Sequence, residues 1–238
     1  MTAIGAAAVA WWGEPIRRRC GGWHRAGAAA LAAGEAPFRK LLGEARWAAL
    51  PAATRRRFAR HVMADACVSY VGEVIECRMG WAGWLLAQAA RLVGAPLPLG
   101  CDTGVAASVC VTGDFEGRAQ YWTRQYGRRH GFPQVIHSAK RFAGPTGLEE
   151  YLGLGLGIAL KLDAIDGTLL FLSDHYFLKA GRLRLRIPRW LAPGQLVIGH
   201  VELGGDRFVF TLDLVHPWFG ELIHQLAVFA DCDAGAAA

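Results

Sequence analysis

Residues 156–187, LGIALKLDAIDGTLLFLSDHYFLKAGRLRLRI, contain three apolar segments separated by two short turns. Asp166-Gly167 and Ala180-Gly181 mark these turns, because glycine adopts the backbone angles of tight hairpins without steric cost. The last segment alternates strictly between an aliphatic residue and arginine, which is the period-2 pattern of a strand. Connections this short cannot contain a crossover helix, so neighbouring strands must be antiparallel. The stretch therefore predicts consecutive β-hairpins.

The same pattern continues on both sides of this stretch, with turn residues such as Gly113-Asp114 and Gly204-Gly205 between short apolar segments. An early strand is predicted within residues 62–77, and the later ones cover residues 105–112, 117–126, 134–142, 156–164, 168–178, 182–187, 195–203, 206–215 and 221–229. A sheet of about nine to ten strands curls or closes rather than staying flat. We therefore predict an α+β fold, mainly β, with a strongly curved antiparallel sheet or partial barrel and a few covering helices.

Helical patterns precede the strands and interrupt them once. Residues 38–50 carry apolar side chains at helical spacing. Pro51 is predicted to begin a second helix, because the N–H of the first helical residue has no partner within the helix and proline lacks this N–H. Residues 80–94, GWAGWLLAQAARLVG, predict an amphipathic helix with Trp81 and Trp84 on its apolar face. These helices are expected to cover the open side of the sheet.

The composition is typical of one folded domain between two tails. The chain has 238 residues, of which 53% are hydrophobic and 19% charged, so it can bury a substantial core. Residues 1–35 are rich in Ala, Gly and Arg without a sustained period, and they predict a flexible or weakly helical N-terminal arm. Residues 36–230 are predicted to form a single β-rich domain, and residues 231–238 a disordered tail.

Charge and hydropathy narrow the classes of partner. The net charge of +6 favours anionic partners in general, but no nucleic-acid-binding motif accompanies it, so nucleic acid is disfavoured. No segment has the roughly 18 to 20 uninterrupted apolar residues that a spanning helix needs. In a secretory signal the basic residues precede the apolar segment, whereas the arginines of the first residues follow it, so these residues do not match a secretory signal. We predict a cytoplasmic protein, with association at a membrane surface as an alternative.

Neither a metal nor a cofactor is predicted. The six cysteines never occur as CxxC or at zinc-ligand spacing with histidine, and reduced thiols are expected in the cytoplasm. The glycine-rich run of residues 153–160, GLGLGIAL, fails the GxGxxG pattern of nicotinamide-binding domains. No complete catalytic constellation is present, so no residue is assigned as catalytic.

The order of several short motifs resembles that of a known family. The motifs are GEVIECRMGWAGWLLAQAARLVGAPLP, YWTRQYG, FPQVIHS, GLEEYLG, IPRWLAP and RFVFTLDLVHPWFGELI. Over residues 38–229 the chain resembles the bacterial family of domains of unknown function DUF4166, whose members occur alone or behind saccharopine-dehydrogenase-like Rossmann domains. The resemblance implies a domain without an assigned activity, with a Rossmann-type oxidoreductase as a partner to consider. It supplies no catalytic residues.

Aromatic residues and an arginine form the first candidate site. Trp122, Arg124 and Tyr126 fall on one face of their predicted strand. An arginine fixed by aromatic stacking at a pocket mouth can hold a carboxylate or phosphate through two parallel hydrogen bonds. Trp81 and Trp84 are predicted to enclose the same pocket. The alternative is that Arg124 pairs with an acidic side chain on an ordinary amphipathic strand.

Two further side chains are candidate ligand-binding residues. Glu149 and Glu150 follow Thr146, which is predicted to cap a short helix, and Glu150 also matches the glutamate of the family motif. His175 is suited to proton transfer near neutral pH. Its neighbour Asp174 is expected to point to the opposite face of the strand, so the two should not form a dyad. The alternative for His175 is a structural polar role.

Three functions follow from these observations. The leading hypothesis is that an interior pocket binds a hydrophobic or lipid-like small molecule, with Arg124 at the polar end. The partner would then be a hydrophobic or anionic small molecule. The second is a small-molecule enzyme, or an accessory subunit of a Rossmann-type oxidoreductase, in which His175, Glu150 and Arg124 converge in one cleft. The third is a peripheral membrane-binding protein.

Overall fold

The computed structural model describes residues 37–59, 62, 64, 66–116 and 118–231. Its α-helices are α1 (Pro37–Leu42), α2 (Glu44–Ala49), α3 (Ala52–Ala59) and α4 (Trp81–Ala90), and single 3-10 turns cover Arg91–Val93 and Arg189–Leu191. Its strands are β1 (Cys67–Met79), β2 (Val105–Gly113), β3 (Ala119–Tyr126), β4 (Gln134–Arg141), β5 (Leu148–Gly153), β6 (Leu156–Ile165), β7 (Thr168–Ala180), β8 (Leu183–Arg186), β9 (Gln195–Gly204), β10 (Arg207–His216) and β11 (Gly220–Asp231). The predicted N-terminal arm and residues 232–238 of the predicted tail lie outside the described residues.

Ten of the strands close into an antiparallel barrel, and β8 lies outside it. The sheet order is β6-β5-β4-β3-β2-β1-β11-β10-β9-β7, and the pairing of β7 with β6 closes the ring. One edge of β7 is shared between two partners, because Leu169–Leu172 pairs with β9 whereas Phe177–Ala180 pairs with β8. The predicted mainly-β fold class is confirmed, and the curved sheet is a complete barrel.

The predicted strands are all present, and one strand was not predicted. The short helix expected after Thr146 is wrong, because residues 148–153 form β5 between β4 and β6. The Thr146 hydroxyl donates to the Leu148 carbonyl oxygen and caps no helix. The single helix expected over residues 38–50 is divided into α1 and α2 at Gly43, whose φ is 81°. At residues 148–153, the hydrogen bonds to β4 and β6 therefore override the local capping signal.

Helices α1 to α3 cover one end of the barrel. They contact β6 and β9, and Phe38 of α1 and Phe58 of α3 pack on Phe171 inside the barrel, with ring centroids 6.0 and 5.9 Å away. This end lies where β6 and β9 finish and where β7 and β10 begin. The aromatic cluster joins the helices to the interior core.

Helix α4 lies near the other end of the barrel and packs on β11. The face that it turns inward is opposite to the face that was predicted. Gly83 and Ala87 are buried, whereas Trp81 and Trp84 are 71% and 52% exposed. A Cβ at Gly83 would lie 1.9 Å from the backbone oxygen of Leu222, so the helix rests directly on the strand backbone. Only the small-residue face permits this approach, and the prediction that the tryptophans face inward is therefore wrong.

The four described cysteines are free thiols, and they lie in two close pairs. The sulfur atoms of Cys67 and Cys110 are 2.8 Å apart, and those of Cys77 and Cys101 are 3.2 Å apart. No group of three or more His, Cys, Asp or Glu residues suited to a metal occurs among the residues that the structure describes. Within the same part of the chain, no helix is both long and apolar enough to cross a membrane.

Candidate functional site

A buried ionic cluster lies inside the barrel and is formed by three neighbouring strands. Arg124 comes from β3, Ser138 and Lys140 from β4, and Glu150 from β5. Lys140 and Glu150 are direct partners in the β4–β5 register, so their side chains emerge side by side into the interior. The Lys140 ammonium is 2.9 Å from Glu150 Oε2. Arg124 Nη2 donates to Glu150 Oε1 at 2.9 Å and to Ser138 Oγ at 2.5 Å.

The charges of this cluster are held in place by one another. Glu150 is only 2% exposed, and burial alone would raise its pKa. The Lys140 ammonium and the Arg124 guanidinium outweigh this effect and lower the pKa of Glu150 to about 2. Burial lowers the pKa of Lys140, although the Glu150 carboxylate acts in the opposite direction. Glu150 is therefore an ionised hydrogen-bond acceptor at neutral pH and a weak base.

A second ion pair and a histidine lie closer to the helical end. Arg57 of α3 donates to Glu202 of β9 at 3.3 Å, and their side chains are only 6% and 9% exposed. The Arg57 guanidinium lies 3.9 Å from the ring centroid of Phe208. His200 is packed among rings that include Phe58 and Phe210. Burial first, then the nearby cations, places the pKa of His200 well below its ordinary value, so the imidazole is neutral.

The larger interior cavity has a volume of about 720 Å³, including its open mouth. Arg124, Glu150 and Tyr176 are its polar lining residues. Every other lining residue is aliphatic or proline: Leu86, Ala90, Val93, Pro96, Leu97, Leu152, Leu156, Ile158, Ile187, Pro193, Leu196, Ile198, Leu212 and Leu214. The first five of these belong to α4 and the segment after it, so α4 covers the cavity with its small-residue face.

A deeper cavity lies on the other side of Arg124, and we call it the deep cavity. It has a volume of about 350 Å³, including the part open to its surroundings. Six aromatic rings line it together with Val109, Arg57, Arg124 and His200; the rings are those of Tyr70, Trp122, Tyr126, Phe208, Phe210 and Phe229. Arg124 lines both cavities and is the one residue that their linings share.

A family model described as Domain of unknown function (DUF4166) matches residues 50–229, more than half of the chain. The chain belongs to this family. No curated protein matches it. The family description assigns no activity, so the interior geometry of this DUF4166 domain is the basis for a functional proposal.

Four of the predicted site residues of the DUF4166 domain lie together inside the barrel. Trp122, Arg124 and Tyr126 share the inward face of β3, as their alternation predicted, and Glu150 reaches Arg124 from β5. Arg124 pairs with an acidic side chain, as the alternative interpretation predicted, and it also lines both cavities, whereas its role in binding a ligand stays a prediction. Trp81 and Trp84, by contrast, do not line either cavity.

His175 lies on the outer face of β7, away from this cluster, and it does form a pair with Asp174. Its Nδ1 is 2.7 Å from Asp174 Oδ2, so the expectation that the two point to opposite faces is wrong. The cause is a β-bulge, since Ala159 and Leu160 of β6 pair with His175 and Ser173 and leave Asp174 as an extra residue. Hydrogen bonds from Lys161 and then His175 lower the pKa of Asp174 to about 2.

Arg184 of β8 fixes the outer cluster further. It donates to Glu149 Oε1 at 2.7 Å, and its Nη2 is 3.3 Å from His175 Nε2. A guanidinium can only donate, so His175 Nε2 is the acceptor and its Nδ1–H donates to Asp174. All its polar atoms are therefore engaged, and His175, Glu150 and Arg124 do not converge in one cleft.

Sequence reasoning missed Lys140, Ser138 and Arg57. The sequence did contain a signal for Lys140 and Ser138. Ile136, Ser138 and Lys140 are spaced two residues apart on β4 and therefore lie on the same face of the strand. Because an isoleucine is expected to face the core, the other two side chains are expected to face it as well. No local signal indicated Arg57, whose partner Glu202 is 145 residues away along the chain.

Proposed function

We propose that this DUF4166 domain binds a hydrophobic, lipid-like small molecule inside its barrel. The apolar body of the ligand would occupy the larger cavity, and its polar end would lie at Arg124. The proposal rests on how polar and apolar residues are distributed in the cavity wall. Aliphatic side chains form most of the wall, and the charged residues Arg124 and Glu150 lie together at one position in it. Ligand sites combine apolar walls with a few fixed polar groups in this way.

Access to the cavity supports the same proposal. Leu86 and Ala90 of α4, and Pro96 and Leu97 after it, form one side of the cavity wall, while Ile187 and Pro193 belong to the segments around β8. Except for Leu86, which lies within α4, these are helix-end and loop residues, and such segments open at lower free energy than barrel strands do. A ligand could enter between them without breaking the barrel hydrogen bonds.

The test is binding of dodecanoate and of a hydrophobic fluorescent dye to the purified, delipidated domain. Leu212→Trp places a large ring in the larger cavity, and we expect it to weaken binding by about tenfold or more, since each tenfold loss corresponds to about 1.4 kcal/mol. Leu154→Trp, at an exposed turn position, is the matched control and should bind as the unaltered domain does. Native mass spectrometry that finds no co-purified ligand, together with no binding of either probe, would contradict the proposal.

A second candidate function is peripheral contact with a membrane. Trp81, Trp84 and Leu85 of α4 and Trp218 and Phe219 of the β10–β11 turn are all more than half exposed, and the rings of Trp81 and Phe219 are 5.7 Å apart. Tryptophan and leucine side chains exposed together on a helix favour insertion at the lipid interface. This patch lies on the helix whose other face lines the larger cavity, so contact with lipid would bring the cavity close to the bilayer.

Sedimentation with vesicles tests the second candidate. The net charge of +6 predicts binding to vesicles that contain phosphatidylglycerol and weaker binding at high salt. Replacing Trp81 and Trp84 together by serine should abolish sedimentation, whereas Trp190→Ser, at an exposed tryptophan of the Arg189–Leu191 turn, should not. Equal recovery in the supernatant with and without vesicles would contradict this candidate.

The enzyme alternative receives less support, because it required His175 in the same cleft as Glu150 and Arg124. Association with a Rossmann-type oxidoreductase, and a cytoplasmic location, stay predictions.

A further inference from the structure

We propose that the deep cavity is an anion subsite that receives a single carboxylate at the end of the ligand. This inference rests on the proposed binding of a lipid-like molecule and specifies its chemical class. The carboxylate would lie among Trp122, Arg124, Arg57 and His200, and the chain attached to it would pass Arg124 into the larger cavity.

Hydrogen-bonding groups without partners are concentrated at the deep cavity. Among the described residues, eight buried side-chain nitrogen or oxygen atoms have neither a hydrogen-bond partner nor an ion-pair partner within the protein. Four of the eight belong to residues that line this cavity: Arg57 Nε, Trp122 Nε1, Arg124 Nε and His200 Nδ1. The first three are obligate donors. Buried donors without partners cost free energy, so a ligand that supplies acceptor oxygens there removes a penalty.

The buried charges favour an anion over a neutral acceptor. Three cations, Arg57, Arg124 and Lys140, face the interior among the described residues, against two carboxylates, Glu150 and Glu202. His200 adds no charge because its pKa lies well below the ordinary value, with burial as the main cause. With Lys140 protonated in its ion pair with Glu150, these five groups together carry one more positive than negative charge. Water could satisfy the donors but could not neutralise this charge, whereas one monoanion does both.

The lining of the deep cavity favours a small anion. Six of the ten residues that line it carry bulky aromatic rings. A planar carboxylate offers two acceptor oxygens to the donors without partners on Arg57, Arg124 and Trp122. A phosphate monoester is bulkier and carries about two negative charges near neutral pH, which would replace a positive excess by a negative one. We therefore assign a monocarboxylate with an apolar chain as the ligand class.

The test compares probes that share a chain and differ at the head. Dodecanoate, 1-dodecanol and dodecyl phosphate are titrated at pH 7 by displacement of a hydrophobic dye. Hydrogen bonds to charged groups contribute about 1.5–3 kcal/mol, so dodecanoate should bind roughly 10- to 150-fold more tightly than dodecanol. Dodecyl phosphate should bind more weakly than dodecanoate.

Two variants locate the head. Arg124→Met removes a cation but leaves the Lys140–Glu150 pair balanced, and it should bring the affinities for acid and alcohol close together. Trp122→Phe keeps a ring and removes only the Nε1 donor, so it remains informative if Arg124→Met does not fold. It should lower the acid-to-alcohol ratio by a few-fold. Trp190→Phe, at a tryptophan that is 65% exposed, is the matched control and should leave the ratio unchanged.

The outcomes separate this inference from the function on which it rests. If no probe binds, the proposed binding function itself fails. If acid and alcohol bind equally well, the domain binds lipid-like molecules and the anion subsite is wrong. A preference for the acid that both variants retain would place the head outside the deep cavity, and tighter binding of dodecyl phosphate would overturn the carboxylate assignment.

Discussion

Glu150 is the residue on which the interior electrostatics depend most directly. It pairs with both Arg124 and Lys140, and the three side chains are almost completely buried. Burial of a charge is tolerated only when partners compensate for the lost hydration. A change at this one position therefore affects the free energy of two other ionised groups.

Glu150→Gln should lower the free energy of unfolding by about 3–5 kcal/mol at pH 7, because it leaves two buried cations without a carboxylate. Urea denaturation measures the loss. Glu221→Gln is the control, since Glu221 pairs with Arg78 at the surface and exposed pairs contribute about 1 kcal/mol or less. A loss for Glu150→Gln that is no larger than the loss for the control would contradict the assignment.

The difference between Glu150→Gln and the unaltered domain should also depend on pH. The pKa of Glu150 is lowered from 4.5 to about 2 in the folded state, so the unfolded chain binds the extra proton first as the pH falls. The stabilisation is therefore complete above pH 4.5 and is lost between pH 4.5 and about 2. Unfolding curves of the two proteins should converge in this window.

Helix α4 shows how packing selects one face of an element. Its apolar residues surround most of the helix, so hydrophobic pattern alone leaves the buried face undetermined. The close approach of Gly83 to Leu222 on β11 fixes the orientation, leaves Trp81 and Trp84 exposed, and places Leu86 and Ala90 over the larger cavity.

Gly83→Ala tests this packing, because helix propensity and packing predict changes in stability of opposite sign. Helix propensity alone predicts a gain of about 0.5–1 kcal/mol for alanine over glycine within a helix. The structure predicts a loss of about 1–3 kcal/mol, because the added Cβ meets strand backbone that cannot move away. Thermal unfolding distinguishes the two. Gly100→Ala, where an added Cβ meets no atom within 4 Å, is the control and should change stability little.

The Cys77–Cys101 pair connects β1 to the segment that follows α4. Burial raises the pKa of the Cys77 thiol, so the exposed Cys101 should react first with a small-molecule disulfide such as oxidised glutathione. The Cys77 thiol then attacks the mixed disulfide at Cys101 and displaces the bound glutathione. Each of the two steps releases one molecule of reduced glutathione. Peptide mass spectrometry should find Cys77 joined to Cys101, and Cys101→Ser should lack this product. Recovery of both thiols separately alkylated after oxidation would contradict the prediction.

Closure of the barrel is a property of the whole chain. Strand β7 completes the ring by pairing with β6 and β9, and β8 occupies the rest of its edge outside the ring. In hydrogen exchange, amides of β8 should exchange much faster than those of β9, because Leu183 and Leu185 are exposed and β8 has a single neighbour. Peptides from β3 are the internal reference. Equal protection of β8 and β9 would show that the outer strand belongs to the cooperative core.

Local signals in the sequence predicted most of the strands and part of the site. Turn residues at fixed positions divide the chain into hairpins, and alternation places Trp122, Arg124 and Tyr126 on one face of β3, as the structure confirms. The capping signal after Thr146 failed at β5, since a six-residue segment obtains more hydrogen bonds from two neighbouring strands than from one helical turn. Strand parity alone also failed at Asp174, because a bulge depends on the register of the partner strand.

The sequence by itself determined the hairpins, the antiparallel sheet and the alternation of each strand, because these follow from backbone sterics and from contacts between near neighbours in the chain. Only the tertiary structure decided that the sheet closes through β7, that α4 turns its small residues inward, and that Arg124 and Lys140 share Glu150. Each of these depends on pairing or packing between segments whose separation along the chain carries no local signal. The cavities, and with them the carboxylate subsite that we propose, exist only once those pairings have formed.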